Sequence, residues 1–180
     1  MVRKMNKKMK TGFKSTTNKS LKNKTILITG GAGSIGFQLT KRILEYQVKS
    51  VRVFDINEHA LFTLNHTLKN SKLRVLLGSI LDKERLEMAG KDVDIIIHVA
   101  ALKNIEITEF NPIETVETNI NGTVNVIKMA LNSEHNKACH KELISSINTY
   151  IKTEEIYSLP ITFISEYHVL RDFIRFCEPL

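Results

Sequence analysis

A glycine-rich segment between an apolar run and a helical pattern constrains this chain more than any other feature. Thr25–Thr29 is short, apolar and rich in β-branched residues, which predicts a buried strand. Gly30, Gly33 and Gly36 follow with the spacing GxxGxxG, and apolar residues then recur at helical spacing through residues 37–46. Such glycines permit a tight turn, backbone approach to a pyrophosphate, and close packing of helix on strand. The segment therefore predicts a dinucleotide site, with a turn that serves only packing as the alternative.

An acidic residue at the end of the next predicted strand supports the same interpretation. Ser50–Asp55 predicts that strand, and Asp55 stands 19 residues beyond Gly36. A carboxylate in this place can bond a ribose 2′-hydroxyl and would repel a 2′-phosphate. Because Ile56 and Asn57 offer no cation beside it, the local charge favours NAD, with NADP as the alternative cofactor.

Predicted strands and helices alternate along the rest of the chain. Further strands are predicted at Leu73–Leu77 and at 93–100, and helices at 58–68 with Asn57 as N-cap, at 83–88, and at 112–131 beginning with a proline. The pattern allows additional strands at 143–146 and 161–165 and a closing helix at 169–176. This alternation predicts an α/β fold, a Rossmann-type doubly wound parallel sheet with right-handed crossovers.

The net charge of +7 is concentrated at the start of the chain. Residues 1–24 contain nine lysines and arginines and no acid, whereas the remainder carries 17 cations against 19 acids. A segment so basic and so poor in apolar residues cannot bury enough surface to offset chain entropy. We therefore predict a basic disordered leader at 1–23 and a folded NAD(P)-binding domain at 24–180. The leader is either simply solvated or loosely attracted to nucleic acid or anionic membrane, without specific nucleic-acid recognition.

Cysteine content and hydropathy exclude several classes of protein. Cys139 and Cys177 are the only cysteines, too few for a disulfide scaffold, and no Cys/His spacing is typical of a metal site. No apolar run approaches the ~20 residues that a spanning helix needs, and the leader lacks the apolar core of a secretory signal. These features predict a cytoplasmic protein with reduced thiols, no transmembrane segment and no bound metal.

Several longer segments carry a family resemblance. Residues 29–36 (TGGAGSIG) resemble the TGxxGxxG turn of extended short-chain dehydrogenase/reductases. Residues 54–61 (FDINEHAL), 93–103 (VDIIIHVAALK) and 110–123 (FNPIETVETNINGT) narrow the match. Together they resemble the polysaccharide-biosynthesis group, nucleotide-sugar 4,6-dehydratases acting on UDP-N-acetylglucosamine and its relatives. The resemblance covers about residues 24–133 and implies a lyase that oxidises the sugar at C4, eliminates water across C5 and C6, and returns the hydride at C6.

The resemblance also assigns residues to the nicotinamide cofactor. It implies a pyrophosphate held by the glycine turn and an adenosine ribose held by Asp55. The implied cofactor-side residues are Gly30, Gly33, Ser34, Ile35, Gly36, Asp55, Ile80, Ala100, Ala101, Lys103 and Asn119, the last of which supports the active-site helix.

Plainer interpretations stand beside these assignments. Lys103 is otherwise a solvated loop lysine, and Asn119 could simply bond neighbouring backbone. His98, among Ile and Val, is more typical of a hydrogen-bonded core histidine than of a base, while Glu114 and Glu117 are typical of a solvated helix face. Ser79 stands where the group usually has an aspartate, which weakens the expected adenine recognition.

The sequence departs from the family where catalysis would lie. The family uses a tyrosine with a lysine four residues later, which lowers the phenol's pKa. Glu154, Ile161 and Arg171 occupy that offset from Tyr150, Tyr157 and Tyr167, and Lys152 lies only two residues beyond Tyr150. We therefore expect a chain truncated before the C-terminal substrate domain, a partial or impaired dehydratase whose nucleotide-sugar site a second polypeptide or a homo-oligomer completes. The alternative is a non-catalytic dinucleotide-binding interaction or regulatory module.

Overall fold

Four parallel strands form one sheet in the computed structural model, which describes residues 21–132. They are β1 (Thr25–Thr29), β2 (Ser50–Asp55), β3 (Leu73–Leu77) and β4 (Ile95–His98), and their spatial order is β3-β2-β1-β4. At the centre, Thr29 of β1 stands opposite Phe54 on one side and His98 on the other. Because all pairs are parallel, the carboxyl ends of the strands meet at one edge, where doubly wound folds bind their ligands.

Helices follow each strand, as the alternation predicts. They are α1 (Ser34–Ile43), α2 (Glu58–Leu68), α3 (Lys83–Gly90), α4 (Ile105–Phe110), α5 (Pro112–Val116), a π-helical turn (Glu117–Gly122) and α6 (Thr123–Asn132). Asn57 caps α2 as predicted, since its side-chain oxygen accepts from the Ala60 N–H at 2.9 Å. The predicted doubly wound α/β fold is confirmed.

Two hydrophobic clusters cover the two faces of the sheet. Ile26 and Ile28 of β1 point into the first cluster, which α1 and α2 close. Leu27, between them, points into the second, which α3 and α6 close. This alternation of one strand between two cores is typical of a parallel sheet buried on both faces.

Two of the predicted elements differ clearly from those observed, and one observed helix was not predicted. Strand β4 is shorter than the predicted 93–100, since it begins at Ile95 and ends at His98. Beyond it the Leu102 N–H donates to the Asn119 side chain of the π-helical turn and not to a strand. The predicted helix at 112–131 begins at Pro112 but is interrupted by the π-helical turn. Helix α4 was not predicted. Its apolar residues are exposed, Phe110 by 86%, so they show no buried face.

The predicted boundary at Lys24 is placed too late. Leu21 is only 7% exposed and belongs to the first cluster. The Asn23 N–H donates to the Gln47 carbonyl at 2.8 Å, so this segment is bound to the fold. The folded part therefore includes Leu21. A single apolar residue among lysines gives no periodic pattern, which is why the sequence did not reveal it.

The predicted elements at 143–146, 161–165 and 169–176, both cysteines and the three tyrosines considered above lie outside the described residues. Within residues 21–132, none of the helices has the length and apolar character needed to cross a membrane.

Candidate functional site

The glycine turn begins with a residue that only glycine fits comfortably. Gly30 has φ +68°. A Cβ built on it would lie 2.5 Å from the backbone nitrogen of Ala100. Its N–H donates to the Phe54 carbonyl of β2 at 2.8 Å. Gly30 therefore brings the ends of β1, β2 and β4 together, which is the tight turn expected of it.

Gly36 and Gly33 serve different purposes in the same turn. A Cβ on Gly36 would lie 2.4 Å from the Gly30 carbonyl oxygen, so Gly36 lets α1 pack directly on the turn, as predicted. A Cβ on Gly33 would meet only that oxygen, at 3.3 Å, and Gly33 is exposed. Gly33 therefore leaves open space above the backbone, as an approaching ligand would need, although its part in binding stays a prediction.

The first turn of α1 presents uncompensated backbone amides. Gly33 is the N-cap and provides no side-chain cap, and the first turn contains no acidic residue. Ser34 and Ile35 are exposed at this end. Free N–H groups and the positive end of the helix dipole together favour an anion such as a phosphate.

The carboxylate of Asp55 lies directly beside the glycine turn. One oxygen accepts from the Ala32 N–H at 3.0 Å, and the other accepts from the Asn57 N–H at 3.0 Å. Asp55 thus connects the turn to the start of α2 while remaining partly exposed. The structure brings together the glycines and the acid that the spacing singled out, and the contact with Ala32 is one that the sequence did not indicate.

The loop after β4 forms the other side of this edge. Ala100 is half-buried against Gly30, whereas Ala101 and Lys103 are exposed. The side chain of Asn119, in the π-helical turn, forms two hydrogen bonds to this loop. Its Oδ1 accepts from the Leu102 N–H at 2.8 Å, and its Nδ2 donates to the Leu102 carbonyl at 2.9 Å. Asn119 therefore bonds backbone 17 residues away, not its neighbours, and supports the loop that carries Ala101 and Lys103.

Ile80 and Ser79 lie after β3. Ile80 is 6% exposed and belongs to the second core cluster, and a Cβ on Gly122 would collide with its side chain. The Ser79 hydroxyl accepts from the Leu81 N–H at 3.1 Å, which shapes this turn. The Ile80 side chain is thus part of the core, and its predicted contact with a cofactor stays a prediction.

His98 is a hydrogen-bonded core histidine, as predicted. It is 2% exposed, with Nδ1 at 2.6 Å from the Thr29 hydroxyl and Nε2 at 3.1 Å from the Thr123 hydroxyl. Burial lowers its pKa to about 4, which keeps the ring neutral near pH 7. Glu114 and Glu117 are exposed, as expected of a solvated helix face.

Comparisons with known proteins agree with this geometry. A family model described as "Polysaccharide biosynthesis protein" matches residues 26–146. An uncharacterised membrane protein of Methanocaldococcus jannaschii is 48% identical over 64% of this chain and 35% of its own length. A UDP-N-acetylglucosamine 4,6-dehydratase (inverting) of Campylobacter jejuni is 42% identical over 58% of this chain and 31% of its own length.

Solved structures share the fold over a similar portion. Pen from Bacillus thuringiensis has a TM-score of 0.61 and 39% identity, covering 64% of this chain and 35% of that one. DesIV, a dTDP-glucose 4,6-dehydratase of Streptomyces venezuelae solved with NAD and TYD bound, has a TM-score of 0.55 and 27% identity, covering 61% and 36%. The chain thus spans about a third of the length of the relatives that it matches.

Proposed function

The chain belongs to the polysaccharide biosynthesis protein family, within the extended short-chain dehydrogenase/reductases, and we propose that it binds a nicotinamide dinucleotide across the carboxyl edge of its sheet. The observation that carries the proposal is the exposed, uncapped start of α1 with the Asp55 carboxylate held beside it. The residues fit the ligand, because Gly33 leaves the backbone uncovered where a pyrophosphate would approach. The NAD bound to DesIV, which shares the fold, supports the proposal further.

Each part of the edge would have a distinct task in binding. The amides of Ser34, Ile35 and Gly36 would hold the pyrophosphate, and Asp55 would hold the adenosine ribose. Gly33, whose own N–H donates to the Gly30 carbonyl at 3.1 Å, would contribute the open space above it. Ala100, Ala101 and Lys103 would line the nicotinamide half, on the loop that Asn119 fixes through Leu102. When bound, the dinucleotide supplies hydride acceptance and return.

We propose NAD over NADP as the cofactor. Asp55 would repel a 2′-phosphate. The nearest cation along β2, Arg52, is bound elsewhere: its Nη1 donates to the Ala89 carbonyl at 2.8 Å and to the Lys91 carbonyl at 2.6 Å. Arg52 is therefore not positioned to compensate Asp55.

We further propose that the chain is the cofactor-binding part of a nucleotide-sugar 4,6-dehydratase. The Campylobacter jejuni relatives of that activity, at 42% and 43% identity, support this substrate class. Epimerases of UDP-glucose at 34% identity indicate a related chemistry as the alternative. None of the four tyrosines is followed by a lysine at the fourth position, so we expect binding without turnover unless a second, different polypeptide supplies the base.

Cofactor binding is tested by calorimetry of the full chain with NAD. Gly33→Ala should weaken binding and Gly33→Val should abolish it, because each added atom stands where the pyrophosphate would approach. Gly33→Ala should alter the unfolding midpoint little, since a Cβ here meets only the Gly30 carbonyl oxygen, at 3.3 Å. Equal affinity of wild type and Gly33→Val would refute the site.

Turnover is tested separately with UDP-N-acetylglucosamine and the NAD-loaded chain, following a 4-keto-6-deoxy product by NMR. We expect no product from this chain alone, because a positioned general base typically contributes 10²–10⁴-fold. Product that forms only after a second polypeptide is added supports the divided enzyme. Binding with no turnover under any combination favours the non-catalytic module, and multiple turnover by the chain alone contradicts the expectation.

A further inference from the structure

A series of hydrogen bonds runs behind the candidate site, from the buried His98 ring to the more exposed Asn119 side chain. The Thr29 hydroxyl and the Thr123 hydroxyl flank the His98 ring at 2.6 and 3.1 Å. The Thr123 hydroxyl also lies 2.6 Å from the Asn119 carbonyl oxygen. Asn119 in turn makes its two hydrogen bonds to the Leu102 backbone. Thr29 immediately precedes the glycine turn. These hydrogen bonds therefore join that turn to the loop at 100–103, on the other side of the carboxyl edge of the sheet.

The donors and acceptors in this series of hydrogen bonds can be assigned from the chemistry of the groups. A threonine hydroxyl has a single hydrogen, and Thr123 donates it to the Asn119 carbonyl, because a carbonyl can only accept. Toward His98 the Thr123 oxygen must therefore accept, so the His98 Nε2–H donates to it. In a neutral ring Nδ1 then carries no hydrogen and accepts from the Thr29 hydroxyl.

We propose that His98, as the neutral Nε2–H tautomer, is a positioning residue that sets the spacing between the glycine turn and the loop at 100–103. It contacts neither half of the proposed ligand and acts through Thr29 on one side and through Thr123 on the other. Its effect on ligand binding rests on the proposed function, whereas the series of hydrogen bonds is independent of that proposal.

The close approach of the two sides explains why their spacing matters. Gly30 and Ala100 are so near that a Cβ on Gly30 would lie 2.5 Å from the Ala100 backbone. A ligand that spans this edge meets both sides at once, so a shift on either side misaligns one half of it. The two hydrogen bonds from Asn119 hold the loop at 100–103 against the π-helical turn. The backbone joins this loop to β1 through the Val99 N–H, which donates to the Thr29 carbonyl at 3.0 Å, and the His98 side chain joins the π-helical turn to β1 as well.

The test compares two buried threonines in the full chain. Thr123→Val removes the hydroxyl that joins His98 to Asn119, and Thr123→Ser keeps it. Thr40→Val is the matched control, because Thr40 is fully buried in α1 and its hydroxyl has no hydrogen-bond partner among residues 21–132. Thr123→Val should weaken NAD binding at least about fivefold, the effect of losing roughly one hydrogen bond. Thr123→Ser should bind nearly as wild type, and Thr40→Val should leave the affinity unchanged.

A second readout does not depend on NAD. Nitrogen-15 NMR of the imidazole should show a protonated Nε2 and an unprotonated Nδ1. The amide signals of Gly30 and Leu102 should shift in Thr123→Val and not in Thr40→Val. If Thr123→Val does not fold, His98→Gln and His98→Leu replace it, because only the glutamine amide can still donate to Thr123.

The outcomes separate the inference from the proposed function. Wild type that fails to bind NAD refutes the proposed function, and the NMR signals then decide the inference alone. The opposite tautomer, an unshifted Leu102 amide in Thr123→Val, or an equal loss of affinity in Thr40→Val would each overturn the inference.

Discussion

Replacing Gly36 by alanine should destabilise the fold by forcing α1 away from the glycine turn. The new Cβ would lie 2.4 Å from both the Gly30 carbonyl oxygen and the Gly31 Cα, whereas ordinary contact begins at 3.4 Å. Both obstacles are backbone, so α1 and the turn must separate by about 1 Å. Overpacking of this kind costs about 1–3 kcal/mol, and the obstacles here place the cost at the upper end. The better helix propensity of alanine returns about 1 kcal/mol.

The net loss for Gly36→Ala is then about 2 kcal/mol, roughly a 30-fold fall in the ratio of folded to unfolded chain. Urea denaturation of the full chain, followed by circular dichroism, measures it. Gly33→Ala is the control, because its Cβ meets only one atom at 3.3 Å and its φ of −69° suits any residue. That control should change the free energy of unfolding by no more than about 0.5 kcal/mol. Equal midpoints for Gly36→Ala and wild type would refute the packing argument.

Three further outcomes are expected. His98 should lower the free energy of unfolding by about 2.5 kcal/mol between pH 6.5 and pH 4, because the unfolded chain protonates this residue while burial lowers its pKa in the folded chain to about 4. Urea melts at several pH values should show this slope flattened in His98→Gln and retained in His66→Gln, which is exposed. Competition calorimetry should show NAD binding tighter than NADP, with the preference reduced in Asp55→Asn; tighter NADP binding by wild type would contradict the role of the carboxylate. Removing residues 1–20 should leave the unfolding midpoint unchanged, whereas Leu21→Ala should lower the free energy of unfolding by about 2–5 kcal/mol. An unfolded 21–180 chain would show that the leader packs on the core.

Local sequence patterns predicted the parts of the fold that local physics determines. The bounds of β1, β2 and β3 follow from apolar β-branched runs, and Asn57 caps α2 because its side chain reaches an amide three residues away. The glycine turn and Asp55 were likewise predictable, since glycine spacing and the position of an acid after a strand are both visible in the sequence.

Features that depend on distant partners were not predictable. The π-helical turn interrupts an apparently continuous helical pattern, and Asn119 within it is bonded to Leu102, 17 residues away. The ring of His98 bridges Thr29 and Thr123, which only the folded sheet brings together. Such hydrogen bonds leave no periodic trace in the sequence, because their spacing is set by the packing of whole elements.

The two hydrogen bonds that Asp55 already makes have a consequence for the speed of binding. Its carboxylate holds the Ala32 amide of the turn and the Asn57 amide before α2 without any ligand. A turn fixed in this way has little conformational entropy left to lose when a dinucleotide arrives. Association should then be a single rapid step at a preformed surface, with no slow ordering phase in stopped-flow traces, and mutation of Asp55 should introduce such a phase even where the final affinity is only modestly reduced.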